Sequence, residues 1–222
     1  MRIGIVGITG RMGKVLAALT SQYETKGISG KTSEEKIHEI IKTSDVIIDF
    51  SIPTATLKII KIATEYRIPY VIGTTGFSFN EFSRIDEASR MIPVLHASNF
   101  SVGIQLMANL MEKSAEIFPD FDMGIMEKHH RGKKDSPSGT TLFLAKHLPK
   151  EPQIASLREG NIFGEHTCDF VGENEMISIT HRVFNRGVFA EGALKCAHWI
   201  VGNSPGLYSM RDYLESVVNA AN

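Results

Sequence analysis

Apolar and polar positions alternate in blocks along the first hundred residues. RIGIVG, at 2–7, is a short apolar run closed by glycine, which predicts a buried strand, and residues 11–23 carry helical spacing. DVIIDFS, at 45–51, is a second apolar run, followed by Pro53 and the helical pattern TATLKIIKIATEYR. A proline suits a first helical turn, where its missing N–H would have no partner. PYVIG (69–73), a helical pattern over 78–90 and IPVLHASN (92–99) continue the alternation. Strands and helices at this spacing imply right-handed crossovers and a parallel sheet with helices on both faces.

Near Asn99 the pattern changes. SVGIQLMANLMEKSAEIF is a long helical stretch rich in Met and Leu. DMGIMEKHH, a helical GTTLFLAKHL, a loop-rich stretch to about residue 173 and a strand-like EMISITHRVF come next. The longer irregular connections predict a second, α+β domain with a mixed or antiparallel sheet. RGVFAEGALKCAHWIVG then reads as an amphipathic helix, and GLYSMRDYL closes the pattern. The expected division is 1–99 and 100–203, with the tail from about 204 to 222 packing back on the first domain.

A length of 222 residues has room for one large domain or two small ones. A hydrophobic fraction of 42% and a charged fraction of 22% are those of an ordinary soluble protein. The formal net charge of -1 gives no field favouring nucleic acid or an acidic membrane surface. No apolar run is long enough to span a bilayer, and glycines interrupt MRIGIVGITGRMG where a signal peptide needs a continuous apolar stretch. Cys168 and Cys196 are far apart and form no CxxC pair. These features predict free thiols in a reducing, cytoplasmic setting.

Three glycine or turn motifs follow strands. GITGRMG places Gly7, Gly10 and Gly13 between a strand and a helix, where glycine lets the backbone approach a pyrophosphate and helix N–H groups bind it. The acidic ribose ligand expected about 20 residues on is absent; Ser29 and Lys31 stand there instead. A hydroxyl and a lysine suit a 2′-phosphate, which favours NADPH over NADH. GTTG (73–76) and HASNFSVG (96–103) also end strands, on the side where open α/β sheets bind ligands.

The densest chemistry lies in EKHHRGKKDSPSGT, from Glu127 to Thr140. A metal held by His129, His130 and Asp135 is disfavoured, because adjacent strand residues point to opposite faces. A solvated basic loop accounts for Arg131, Lys133 and Lys134 but not for the PSGTT that follows. Ser138 can cap the next helix and leave the Gly139 and Thr140 N–H groups for a carboxylate. With a histidine able to give or take a proton and a cationic lysine, this suits a small dianion that is protonated during reaction.

Taken together, GITGRMG, DFS, GTTG, SNFSVG, EKHHRGKKDSPSGT and HRVFNRGVFAEGALKCAHWI resemble the 4-hydroxy-tetrahydrodipicolinate (dihydrodipicolinate) reductase family, from Arg2 to about Tyr213. The resemblance implies an α/β protein with an N-terminal Rossmann-type parallel-sheet domain and a C-terminal α+β domain for substrate binding and tetramerisation. It implies NADH or NADPH as hydride donor in a step of diaminopimelate and lysine synthesis. By motif match, His129 falls on the catalytic proton donor and Lys133 on the catalytic lysine. His130, Gly139 and Thr140 fall on substrate-carboxylate contacts. Gly7, Ile8, Thr9, Gly10, Arg11 and Met12 fall on cofactor contacts, as do Gly73, Thr74 and Thr75, and Ala97, Ser98, Asn99 and Phe100. No metal is implied. The chain is short for the family, with the trimming expected near 21–42. Two other readings are an amino-acid semialdehyde dehydrogenase and a silent NADP-binding sensor. The first has no use for the tandem histidines and dicarboxylate cradle, and the second would show loss of proton donors.

Overall fold

Isoleucine- and valine-rich runs too short for helices become the strands of the first unit: β1 (Arg2–Val6), β2 (Glu24–Ile28), β3 (Val46–Asp49), β4 (Tyr70–Ile72), β5 (Pro93–His96) and, late in the chain, β10 (Gly206–Tyr208). The computed structural model describes residues 1–220. The six strands form one sheet in the order β10-β5-β4-β3-β1-β2, every pair parallel. The chain leaves β1 towards β2 and returns to β3 on the other side. That reversal is a topological switch point, and it leaves a crevice beyond the carboxyl end of β1.

Helices α1 (Arg11–Leu19), α2 (Glu34–Lys42), α3 (Pro53–Glu65), α4 (Phe79–Ser89), α7 (Gly187–Ile200) and α8 (Met210–Ala220) complete this unit. Ile37, Ile40 and Ile41 of α2 and Ile59, Ile60 and Ile62 of α3 enter one apolar cluster with Ile47, Ile72 and Val94 of the sheet. Ser33 caps α2, a Ser78–Glu81 capping box starts α4, and Pro53 opens α3. The helix expected to reach residue 23 stops at Leu19. There the Thr20 N–H and hydroxyl both donate to the Leu16 carbonyl, at 2.8 Å each, and close the last turn.

The second unit, Ser101–Arg186, holds α5 (Val102–Ile117), β6 (Asp122–His129), α6 (Gly139–Ala145), β7 (Gln153–Arg158), β8 (Gly164–Val171) and β9 (Met176–Val183). Its sheet is mixed, in the order β7-β6-β8-β9, with β6 and β7 parallel and the other pairs antiparallel. Ile104, Met107 and Met111 of α5 pack with Met123, Ile125, Cys168 and Phe170 of the sheet.

Two expectations are corrected. The stretch before residue 173 holds two strands, β7 and β8, rather than loop. GEHTCDFV reads as polar because β8 carries polar side chains on both faces, and β7 turns Ser156 and Arg158 inward while Ala155 and Leu157 are exposed, so it shows no apolar alternation. The return to the first unit comes at Gly187 rather than near 204, so α7 belongs to the first unit. Its Ala190, Gly192, Ala193 and Ala197 make a small-residue face that packs against α1, β3, β4 and β5.

Candidate active site

In the first unit, Gly7 takes φ +80°, a backbone conformation suited to glycine, and turns the chain out of β1. The start of α1 then packs against this turn so closely that a Cβ on Gly13 would lie 2.2 Å from the Gly7 carbonyl oxygen. Gly10, the residue before α1, offers no side-chain cap, which leaves the first-turn N–H groups to other partners. The Gly7 and Ile8 N–H groups donate to the Ile28 carbonyl and that of Gly10 to the Gly7 carbonyl, which fixes the turn and leaves the first-turn N–H groups of α1 at the switch point, as a pyrophosphate requires. An adjoining cleft of about 320 Å³ is lined by Gly7, Thr9, Ser29, Gly30, Thr32 and Lys58 on its polar side and Ile28, Ile37, Ile52 and Ile59 on its apolar side. Ser29 directly follows β2, where the ribose ligand was sought. Its hydroxyl accepts from the Lys31 N–H at 3.3 Å. Lys58, which sequence reading missed, reaches the cleft from α3 and pairs with Glu34 at 3.0 Å. The shape and donors fit a dinucleotide.

Gly73, Thr74 and Thr75 follow β4, and Ala97 to Phe100 follow β5, so all three candidate segments lie at the carboxyl edge of one sheet. Sequence reading missed what ties two of them together. Asp49, at the end of β3, is fully buried and accepts from the Ser51 N–H at 2.9 Å, the Ser51 hydroxyl at 2.6 Å, the Tyr70 hydroxyl at 2.8 Å and the Thr74 hydroxyl at 3.2 Å. Burial raises its pKa, while these hydrogen bonds act in the opposite direction. Thr74 thus spends its hydroxyl on anchoring the GTTG turn. Thr75 and Ser98 are exposed, whereas Ala97 and Phe100 are buried, and the Phe100 ring sits 5.6 Å from that of Phe50.

In the second unit the site grows out of strand alternation. Met123, Ile125, Glu127 and His129 share the inward face of β6, apolar at first and polar at its end. His130 directly follows the last residue of β6 and is half-buried. Register supplies the partners: Glu127 lies opposite Ser156 of β7 and His166 of β8, and His129 lies opposite Arg158. The Glu127 carboxylate accepts from the Ser138 N–H at 3.1 Å, the Thr141 hydroxyl at 2.6 Å, the Ser156 hydroxyl at 2.8 Å and the Arg158 guanidinium at 2.8 Å. Burial alone would raise its pKa; the four donors outweigh that and hold it well below the usual carboxylate range. Ser138 caps α6 by accepting from the Thr141 N–H, which places Gly139 and Thr140 in the first turn.

His129 Nδ1 lies 3.6 Å from Glu127 Oε2, and its ring meets His166 edge-on with centroids 5.1 Å apart. Burial lowers the pKa of both histidines, that of His166 to about 4; Glu127 opposes the shift, and cationic neighbours reinforce it. Lys133 reaches Asp135, with its Nζ 2.8 Å from each carboxylate oxygen. Glu127, His129 and His166 also bring three potential metal ligands within 4.8 Å of one another. The Glu127 oxygens are already engaged by a guanidinium and three neutral donors, so the cluster suits holding a proton better than holding a cation. Glu127, Ser156, Arg158 and His166 were not assigned from sequence, and the period-two pattern of β6 was the available signal for Glu127.

A family model described as dihydrodipicolinate reductase, N-terminus, matches residues 1–100, and one described as dihydrodipicolinate reductase, C-terminus, matches residues 103–214. The chain is 36% identical over 241 residues to the 4-hydroxy-tetrahydrodipicolinate reductase of Rickettsia bellii, covering 99% of this chain and 96% of the relative. It is 36% identical over 247 residues to the enzyme of that name from Caldanaerobacter subterraneus, covering 97% and 98%. Among solved structures, the dipicolinate-bound dihydrodipicolinate reductase from Paenisporosarcina sp. TG-14 shares the fold, with a TM-score of 0.81 and 21% identity over 94% of this chain and 97% of that one. A probable dehydrogenase from Thermotoga maritima matches at a TM-score of 0.62 and 10% identity, over 96% and 92%. With both halves matched and relatives aligned along nearly their whole length, the chain belongs to the dihydrodipicolinate reductase family.

Proposed function

We propose that the protein reduces 4-hydroxy-tetrahydrodipicolinate, by way of dihydrodipicolinate, to tetrahydrodipicolinate with a reduced pyridine nucleotide. The observation that carries this reading is the second unit's cluster. The His129 ring, the Arg158 guanidinium and the capped turn that begins α6 are gathered around the buried Glu127 carboxylate, and Lys133 stands on the loop that follows β6. When bound, NAD(P)H supplies the hydride that adds to C4 of the conjugated imine. The chain's own residues handle the rest. Gly139 and Thr140 offer N–H groups to one substrate carboxylate, and His130 is a contact for the substrate's charge. Lys133 stabilises developing negative charge. Its pairing with exposed Asp135 is weakly held, so exchange for a substrate carboxylate costs little. His129 gives the proton that the enamine carbon at C3 takes up. A dianion beside it restores some of the proton affinity that burial removes.

NADPH is proposed to serve at least as well as NADH. In support, Ser29 rather than a carboxylate follows β2, and Lys31 and Lys58 are nearby. We further propose a homotetramer built on the second unit's sheet, whose outer face exposes Leu157, Val171 and Met176. A cytoplasmic location is consistent with two free, buried cysteines and with no helix among the described residues long and apolar enough to cross a membrane. The test is nucleotide oxidation with substrate freshly made by the preceding synthase. Turnover should depend on that product, and pyridine-2,6-dicarboxylate should compete with it. Well-folded protein giving no turnover above background would remove the reductase reading.

A further inference from the structure

A fully buried carboxylate is expensive, and the same face of β6 is filled by Met123 and Ile125, four and two residues earlier. Packing alone would be met more cheaply by another apolar residue at 127. The surroundings instead converge on its charge. The Ser138 N–H lies 3.1 Å from both carboxylate oxygens, Thr141 engages Oε2, and Ser156 and Arg158 engage Oε1. One anion therefore ties together β6, β7 and the turn that begins α6.

The same anion faces His129. The Nδ1 atom of that ring is buried and makes no hydrogen bond, and Glu127 Oε2 at 3.6 Å is the acceptor beside it. The other charged and titratable groups around the ring are Lys133 and Asp135 from the loop after β6, Arg158 from β7 and His166 from β8. Beside a carboxylate, a neutral imidazole keeps its proton on the nitrogen that points at it. Nε2 is then the nitrogen left to exchange protons. A Cβ on Gly164 would lie 3.2 Å from Nε2, so glycine leaves space on that side.

Building on the reductase reading, we propose that Glu127 is a positioning residue of the reaction. It holds His129 as the Nδ1–H tautomer, commits Nε2 to the substrate, and fixes that ring relative to the Ser138–Thr140 turn that receives a substrate carboxylate. The proton balance closes without another reactant. The Nε2–H bond breaks as the C–H bond at C3 forms, the ring is left neutral with its proton on Nδ1 facing Glu127, and solvent returns a proton to Nε2.

Two measurements on the full chain test this. Nitrogen-15 NMR of wild-type protein, with the His129 signals assigned by their loss in His129→Gln, should show Nδ1 protonated and Nε2 bare in the neutral form. Steady-state kinetics should show Glu127→Gln lowering kcat about 10- to 100-fold, the usual scale for losing a partner that orients a reacting group. The fall of kcat/KM on the alkaline side should also move to lower pH, because the charge that supports protonation of His129 is gone. Glu127→Asp, which restores the charge, should return the profile towards wild type, and nucleotide affinity should be unchanged in both variants. An Nε2–H tautomer in the wild type overturns the proposal, as does a Glu127→Gln enzyme with normal kcat and an unmoved profile. If Glu127→Gln does not fold, the wild-type tautomer still decides. A wild-type enzyme inactive on the synthase product refutes the reductase reading instead, and the tautomer does not depend on that result.

Discussion

Replacing Gly13 with alanine tests whether the first unit's turn binds a dinucleotide through close approach of α1. The added Cβ would meet the Gly7 carbonyl oxygen at 2.2 Å and Ile8 Cα at 2.6 Å, about 1.2 and 0.8 Å inside the 3.4 Å where ordinary contact begins. Both groups are backbone and cannot rotate away, so the start of α1 has to move by about 1 Å. Overpacking of this kind costs about 1–3 kcal/mol, and the rigid partners place it near the upper end. Alanine's better helix propensity returns up to about 1 kcal/mol. A net loss of about 1–2 kcal/mol lowers Tm by roughly 2–8 °C in a chain of this size. Displacing one charge-assisted N–H contact to the pyrophosphate loses about 1.5–3 kcal/mol, which weakens nucleotide binding roughly 10- to 100-fold. Calorimetric unfolding and nucleotide titration by fluorescence read the two effects separately. Gly30→Ala is the control, because its Cβ would meet nothing within 4 Å; its Tm should be that of wild type. A Gly13→Ala protein with wild-type Tm and nucleotide Kd would refute the reasoning.

Other outcomes follow from the same geometry. His129→Ala should lower kcat about 10²- to 10⁴-fold by removing the positioned proton donor, with nucleotide Kd unchanged by titration. Lys133→Ala should be similarly severe, while His130→Ala should chiefly raise KM for the dicarboxylate. Ser29→Asp should shift kcat/KM towards NADH, because a carboxylate at the end of β2 repels a 2′-phosphate and bonds a free ribose diol. Burial holds His166 near 4 rather than its ordinary 6.5, so the unfolded chain binds its proton first as pH falls. Stability held by the neutral ring above pH 6.5 should therefore drop by roughly 3 kcal/mol between 6.5 and about 4. Denaturant unfolding across that range should show a smaller loss for His166→Gln, and equal slopes would contradict the assignment.

What could be read in the sequence was whatever rests on local order. The β1–α1 glycine turn, the strand ends at GTTG and HASN, the Pro53 helix start and the Ser138 cap each need only a few consecutive residues. Their side chains or φ requirements declare the geometry. The alternation of β6 likewise puts His129 on one face with Glu127 without any partner strand. The rest depends on register between segments far apart in the chain. Ser156, Arg158 and His166 become site residues only because β7 and β8 pair with β6 at Glu127 and His129. Asp49 becomes an anchor only because Tyr70 and Thr74 arrive from β4 and the turn after it. Apart from Lys58, which lies exposed on α3, the missed residues are polar groups buried or half-buried inside strand-bearing regions, where propensity reads loop or an interrupted core. A buried polar group must find partners, so such an interruption carries information. Glu127 breaks an otherwise apolar inward face two residues before His129. An acid placed there needs donors from neighbouring strands, and the histidine next along that face lies within its field.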